Sequence, residues 1–156
     1  MALPEIPAEI EAEELRRLYA YWLSRRAGRR YPARRNIDPL DFRYLMGRIV
    51  LIDVLRAPLR FRIRLQGVEV VKYFRRDLTG KTFEDIARPE LRAFMLHRAK
   101  ELVEAGEPHF ARRELVKDDR ALRFEVAVLP LADDGFTIDM VLLAIIFPFF
   151  PELPGT

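Results

Sequence analysis

Residues 48–67 read RIVLIDVLRAPLRFRIRLQG, and their pattern decides the fold. Residues 49–55 are mostly β-branched and aliphatic, which favours a strand. Ala57-Pro58 then interrupts the run, because proline cannot donate to a strand ladder. Apolar and polar side chains alternate in the second half, as they do along a strand with one buried face: Phe61, Ile63 and Leu65 stand against Arg60, Arg62, Arg64 and Gln66. The two halves therefore predict a β-hairpin across a short turn.

An amphipathic helix is predicted upstream of this hairpin, over residues 8–27. Its apolar residues recur at helical spacing. Glutamates at positions 9, 11, 13 and 14 precede arginines at 25 and 26, an order of charges that suits the helix dipole. Gly28 is able to end the helix.

Helices and then strands are predicted downstream of the hairpin. The helical segments are residues 68–74, 82–86 and 90–105, bounded by glycines and prolines. The strand patterns are residues 109–116, 122–131 and 136–147, of which the last is the most apolar and is expected at the sheet centre. This order predicts an α+β fold. It has one five-stranded antiparallel sheet with helices on one face and an N-terminal amphipathic helix.

Two short motifs, DLTGK at residues 77–81 and LPLADDG at residues 129–135, occur within this order of elements and resemble motifs of the PAS domain family. DLTGK resembles the turn before the central helices of PAS domains, and LPLADDG resembles their last hairpin. Short bacterial PAS-like proteins have segments similar to Tyr21-Trp22, to PARRNIDP at residues 32–39 and to FRIRLQG at residues 61–67.

The resemblance implies a domain organisation and a function. We expect an N-terminal helix over residues 1–28, a PAS-like domain over 29–147 and a proline-rich C-terminal tail over 148–156. The implied function is a stand-alone sensory or interaction domain in signal transduction, which binds a small ligand or a protein partner and performs no catalysis. No effector domain is expected in the remaining residues.

A cavity under the central helices would give the candidate ligand-binding residues. Arg64 offers a guanidinium to a carboxylate or phosphate, although alternation also fits a solvent-exposed face of an edge strand. The apolar candidates would line the cavity or simply fill the core. They are Tyr73, Phe74, Phe83, Phe94, Met95, Leu102 and Phe124.

The residue inventory limits the cofactors. The chain has no cysteine, which excludes disulfides, thiolate metal sites and flavin–cysteinyl photochemistry. Haem-binding PAS domains use a histidine on the long central helix, where this chain has His97. Haem is disfavoured because a lone helix histidine is more often exposed or structural. No metal site is predicted, and the identity of a ligand or cofactor stays open.

The first helix has no partner of its own within a PAS core. We expect it to pack on a second copy of the chain or on the outer face of the sheet, and we predict a homodimer. Aromatic side chains are good interface anchors. The interface candidates are Leu15, Leu18, Tyr19, Tyr21 and Trp22. A signalling protein is a further expected partner.

Nucleic-acid binding is one alternative function. Residues 16–80 hold 17 basic against 5 acidic side chains, and a basic segment can attract nucleic acid. The segment lacks the aromatic and glycine pattern of RNA-binding motifs, which disfavours this reading. Its residues would be Arg25, Arg26, Arg29, Arg30, Arg34 and Arg35.

A small cone-shaped α+β enzyme is the other alternative. His109 and either Asp118 or Asp119 flank one predicted strand and are residue types suited to acid–base catalysis. Nothing in the sequence brings the pair together.

The expected location is the cytoplasm. The first fifteen residues are acidic, unlike the basic start of a signal peptide. The longest strongly apolar run, residues 140–150, is shorter than the roughly 20 residues of a membrane-spanning helix.

Overall fold

The computed structural model describes residues 3–117 and 120–147 of the chain. Within them, the helices are α1 (Glu13–Arg25), α2 (Val68–Phe74) and α3 (Pro89–Ala105). The strands are β1 (Ile49–Leu55), β2 (Arg60–Gln66), β3 (His109–Lys117), β4 (Arg120–Leu131) and β5 (Met140–Ile146). Short 3₁₀ segments occur at Arg34–Asn36, Pro39–Leu45 and Phe83–Asp85. The tail predicted over residues 148–156 lies outside the described residues.

The five strands form one antiparallel sheet in the order β2-β1-β5-β4-β3. This confirms the predicted α+β fold and the central position of the last strand. β1 and β2 form the predicted hairpin, with a cis peptide bond at Ala57-Pro58. None of the helices in the described residues has the length and apolar composition needed to cross a membrane.

α1 begins at Glu13, later than the predicted residue 8. The backbone N–H groups of Glu11 and Ala12 donate to the carboxylate of Glu125 on β4, at 2.8–3.0 Å. These bonds hold Ala12 in an extended conformation, with ψ at 114°. The first helical residue, Glu13, therefore follows directly after the two residues that are hydrogen-bonded to the sheet.

α1 packs on the sheet of its own chain, on the face opposite α2 and α3. The Trp22 Nε1–H donates to the carbonyl of Pro130 at 2.9 Å, and the Tyr19 ring meets that of Phe110 with centroids 4.9 Å apart. Leu15, Leu18, Tyr19 and Trp22 are all buried. This corrects their expected role in a homodimer interface, since the four side chains are interior to one chain.

Tyr21, the remaining interface candidate, is half-buried on the other side of α1. Its hydroxyl donates to Asp41 at 2.7 Å and accepts from the N–H of Asp38 at 2.9 Å. The Asp38 side chain also accepts from the N–H of Leu40 and so caps the 3₁₀ segment Pro39–Leu45. Tyr21 thus ties α1 to that segment.

A bulge in β2 breaks the strict alternation expected there. Leu51 pairs with Leu65 and Ile52 with Ile63, so Arg64 is an extra residue on β2. The inserted residue reverses the faces that follow it. Leu65 is consequently 45% exposed, and Gln66 takes the inner face beside Ile63.

Gly67, at the end of β2, allows two backbone segments to approach closely. Its φ is −62°, which any residue adopts, but an added Cβ would lie 2.2 Å from the carbonyl oxygen of Gly47. We expect Gly67→Ala to lower the free energy of unfolding by about 3 kcal/mol, at the upper end of overpacking costs. Urea denaturation followed by circular dichroism measures this change.

Gly80→Ala is the matched control for that variant. Gly80 has a left-handed φ of 82° and no atom within 4 Å of an added Cβ. The Gly80→Ala variant therefore tests backbone strain in the absence of a steric clash. We expect it to lower the free energy of unfolding by about 1 kcal/mol. A Gly67→Ala loss no larger than the Gly80→Ala loss would contradict the steric explanation.

Candidate functional site

A cavity of 810 Å³ lies between the inner face of the sheet and the helices that cover it. All five strands contribute to its wall, opposite α2, α3 and the 3₁₀ segment Phe83–Asp85. The sheet side is largely apolar. Its aliphatic and aromatic residues include Val50, Ile52, Phe61, Ile63, Phe124, Val126, Val128, Val141, Leu143 and Ile145.

Local signals in the sequence set the segments that cover the cavity. α2 is followed by Arg75, which adopts a left-handed φ of 59°. α3 starts with Pro89 in its first turn, where proline is favoured, and is followed by Gly106, with φ 68°. Leu102 is the one buried residue of α3. This helix therefore covers the cavity without filling it.

Six of the nine predicted ligand-binding residues line this cavity. They are Phe74, Phe83, Phe94, Met95, Leu102 and Phe124. Phe83 stacks on Phe61 with ring centroids 5.5 Å apart, so the 3₁₀ segment Phe83–Asp85 packs directly against β2. The aromatic and aliphatic candidates thus come together from α2, α3, β4 and the 3₁₀ segment.

Arg64 lies outside the cavity lining, which corrects its expected position. Its Nε donates to Asp53 at 2.8 Å, and the Nη2 of Arg62 donates to the other carboxylate oxygen at 2.9 Å. The hydrogen bond and the charge of Asp53 raise the pKa of Arg64. Asp53 is 6% exposed, so the two arginines compensate a buried charge of the sheet. The guanidinium of Arg64 is already used in that contact.

Tyr73 and His97 also lie outside the cavity lining. The Tyr73 ring stacks on Phe147 with centroids 3.7 Å apart, and burial raises its pKa to about 12. The side chain of His97 is 71% exposed, and its Nε2 lies 3.0 Å from Glu101. His97 therefore does not fit the role of a haem ligand inside this cavity.

Several polar residues of the cavity wall were not among the ligand-binding candidates, and they include Arg98 on α3 and His109 and Arg113 on β3. Residues 109, 111 and 113 share one face of β3 by strand alternation. The alternation shows that these residues share a face, but it identifies them as cavity residues only when the structure shows which face of β3 points inward. Burial, and then the charges of Arg113 and Arg98, lower the pKa of His109.

The acid–base pair of the enzyme alternative involves residues that the structure does not describe. His109 lines the cavity, whereas Asp118 and Asp119 fall in the gap between residues 117 and 120. Within the described ranges, no group of three or more histidine, aspartate or glutamate residues could hold a metal ion.

The arginines considered for nucleic-acid binding have partners within the chain. The pairs are Arg25 with Asp41, Arg35 with Asp133, Arg29 with Asn36, Arg26 with Trp22, Arg30 with Tyr31, and Arg34 with the carbonyl of Ile37. These contacts compete with phosphate for the same guanidinium groups and so weigh against that alternative.

Solved structures with a similar fold include three PAS proteins. The PAS domain of the histidine kinase ThkA is 17% identical, with a TM-score of 0.46, and the match covers 62% of this chain and 96% of that one. The PAS domain of Bordetella pertussis BvgS is 19% identical over 64% and 73% of the two chains, with a TM-score of 0.44. The N-terminal domain of a Marinobacter aquaeolei diguanylate cyclase with a PAS/PAC sensor is 17% identical, with a TM-score of 0.43. The match covers 64% of this chain and 94% of that one.

The family model described as PAS domain matches residues 10–145 of the sequence. No curated protein sequence is significantly similar to the chain. The family match spans α1, the sheet and the helices that cover the cavity. The chain therefore belongs to the PAS domain family, whose members are sensory domains in signal transduction.

Proposed function

We propose that the chain is a sensory domain that binds a small, largely apolar ligand in the cavity beneath α3 and transmits the bound state without catalysis. The observation that carries the proposal is the 810 Å³ cavity with its largely apolar wall. Small-molecule sites are typically cavities of about 300–1,000 Å³ with a mainly hydrophobic lining and a few polar groups.

The packing of α3 supports a conformational response. The helix has 17 residues and buries Leu102 alone among them. A ligand under α3 would add apolar contacts that the helix does not make with the sheet. A ligand that binds one position of α3 more tightly than another shifts the population toward that position, by the difference in affinity.

Replacing Ala99 with phenylalanine tests the location of the ligand. Ala99 lines the cavity from α3, and the larger side chain would occupy part of its volume. Ala93→Phe is the matched control, because Ala93 is exposed on the same helix and is not part of the cavity wall. Fluorescence titration with the neutral apolar probe N-phenyl-1-naphthylamine should give about tenfold weaker binding in Ala99→Phe, and nearly unchanged binding in Ala93→Phe.

Two results of this titration count against the proposal. One is the absence of saturable probe binding to the unaltered chain. The other is equal affinity in Ala99→Phe and Ala93→Phe, which would mean that the probe binds elsewhere. Circular dichroism spectra establish that each variant is folded before the titrations are compared.

PAS domains mediate protein interactions and dimerisation. A homodimer, a signalling partner and a cytoplasmic location, all expected from the sequence, stay predictions for this chain. A dimer would need a surface other than the buried side of α1, and light scattering in solution tests whether a dimer forms.

A further inference from the structure

One part of the cavity wall carries three basic side chains, here called the basic cluster: Arg98 on α3, and His109 and Arg113 on β3. All three are half-buried. The guanidinium of Arg98 lies 5.5 Å from the ring centroid of Phe94, and that of Arg113 lies 5.7 Å from the same centroid. The two positive charges are therefore held beside one aromatic ring that also lines the cavity.

The positive charge of the basic cluster is only partly compensated. Arg98 donates to Glu101 at 3.1 Å, and the other carboxylate oxygen of Glu101 lies 3.0 Å from His97. Arg113 forms no ion pair with the residues that the structure describes. Burial and the nearby Arg98 lower the pKa of Arg113. Of the two guanidinium groups, only that of Arg98 has a carboxylate partner among the described residues, which leaves the positive charge of Arg113 uncompensated by an ion pair.

Two nitrogen atoms of the basic cluster have unmet hydrogen-bonding capacity. Arg98 Nε and His109 Nε2 are buried and have no hydrogen-bond partner among the described residues. Buried polar atoms in folded proteins nearly always have a partner. A carboxylate accepts hydrogen bonds on two oxygens and matches the donor fork of a guanidinium. Its presence would satisfy the cluster in charge and in hydrogen bonding.

We propose that the ligand of this cavity is an amphipathic monocarboxylate. Its carboxylate is bound by the basic cluster, and its hydrocarbon body lies against the apolar wall formed by α3 and the sheet. This inference rests on the proposed function and specifies its ligand class. A monoanion matches the local charge, whereas a phosphate dianion would leave excess negative charge beside Glu101.

Three ligands with the same ten-carbon chain test the head group: decanoate, decan-1-ol and decyltrimethylammonium. Isothermal titration calorimetry measures each affinity, below the micelle concentrations of the two ionic ligands and below the aqueous solubility of decan-1-ol. The unaltered chain should bind decanoate about tenfold more tightly than decan-1-ol, since a hydrogen-bonded charge contributes about this much. The decyltrimethylammonium cation should bind most weakly, because it meets like charge.

Arg113→Gln should remove the preference for decanoate and leave the affinity for decan-1-ol unchanged. Arg43→Gln is the matched control, because it makes the same change in net charge at an exposed arginine outside the cavity. Arg98→Gln provides the same test if Arg113→Gln does not fold.

The outcomes separate this inference from the proposed function. Saturable binding of decan-1-ol with equal affinity for decanoate would overturn the carboxylate assignment and leave the proposed function standing. A decanoate preference that survives both Arg113→Gln and Arg98→Gln would also overturn it, since the head group would then bind elsewhere. No saturable binding of any of the three ligands or of the naphthylamine probe would overturn both proposals.

Discussion

Glu125→Ala is expected to lower the free energy of unfolding by about 4 kcal/mol, because it removes a buried carboxylate on which the start of α1 depends. Glu125 is 0% exposed. One of its oxygens accepts from the N–H groups of Glu11 and Ala12 at 3.0 and 2.8 Å, and the other accepts from Glu11 at 2.9 Å. Alanine would leave both N–H groups without their acceptor, at a cost of roughly 1–3 kcal/mol each.

Glu114→Ala is the control for this variant. Glu114 is exposed on the neighbouring strand β3 and pairs with Arg123 at 3.6 Å, so its loss should cost about 0.5 kcal/mol or less. Glu125→Gln should fall between the two, because its amide keeps one carbonyl acceptor. Urea denaturation followed by Trp22 fluorescence measures all three. A Glu125→Ala loss as small as that of Glu114→Ala would show that α1 holds its position without this carboxylate.

Elements with strong local signals could be predicted from the sequence. α2 has the bounds expected from Gly67 and the run of residues 68–74. The longer helix α3 lies between the predicted Pro89 and Gly106 boundaries. In both segments, backbone preferences of a few residues determine where the helix begins and ends. The order of these elements was then enough to indicate one antiparallel sheet, and the resemblance of several short motifs indicated the family.

Features that depend on contacts between distant residues could not be predicted. The bulge at Arg64 arises from the pairing of β1 with β2 and is invisible in the alternation of β2 alone. Glu125 occupies a polar position of an alternating strand, where sequence reasoning expects solvent. The structure buries it because α1 crosses that face, 113 residues from Ala12 along the chain.

Six apolar residues of the cavity wall were among the predicted candidates, but its basic residues Arg98, His109 and Arg113 were not. Aromatic side chains on the covering helices are expected to face the sheet whichever way it is ordered. His109 and Arg113 line the cavity because the face of the edge strand β3 that carries them points inward. The pairing of β3 with the sheet sets this orientation. Arg64 was expected in that role, but the sheet has a buried carboxylate of its own, Asp53, which binds it.

Trp22→Ala is the second variant with a large expected effect, a loss of about 4 kcal/mol in the free energy of unfolding. The indole is 0% exposed between α1 and the outer face of the sheet, and its ring centroid lies 6.0 Å from that of Tyr19. Alanine would leave a cavity at this contact and would leave the carbonyl of Pro130 without its indole donor. Trp22 is the single tryptophan of the chain, so this variant has no tryptophan fluorescence to follow. Thermal and urea denaturation followed by far-ultraviolet circular dichroism therefore measure the loss.

Two further variants separate the parts of this effect. Trp22→Phe keeps most of the apolar volume but removes the hydrogen bond to Pro130, so a loss of about 1–2 kcal/mol is expected. Phe136→Ala truncates an aromatic side chain that is 65% exposed, and its effect should stay within about 0.5 kcal/mol. If Trp22→Ala were no more destabilising than Phe136→Ala, α1 would not be part of the folded core. The face of the sheet beneath it would then be free for a second copy of the chain.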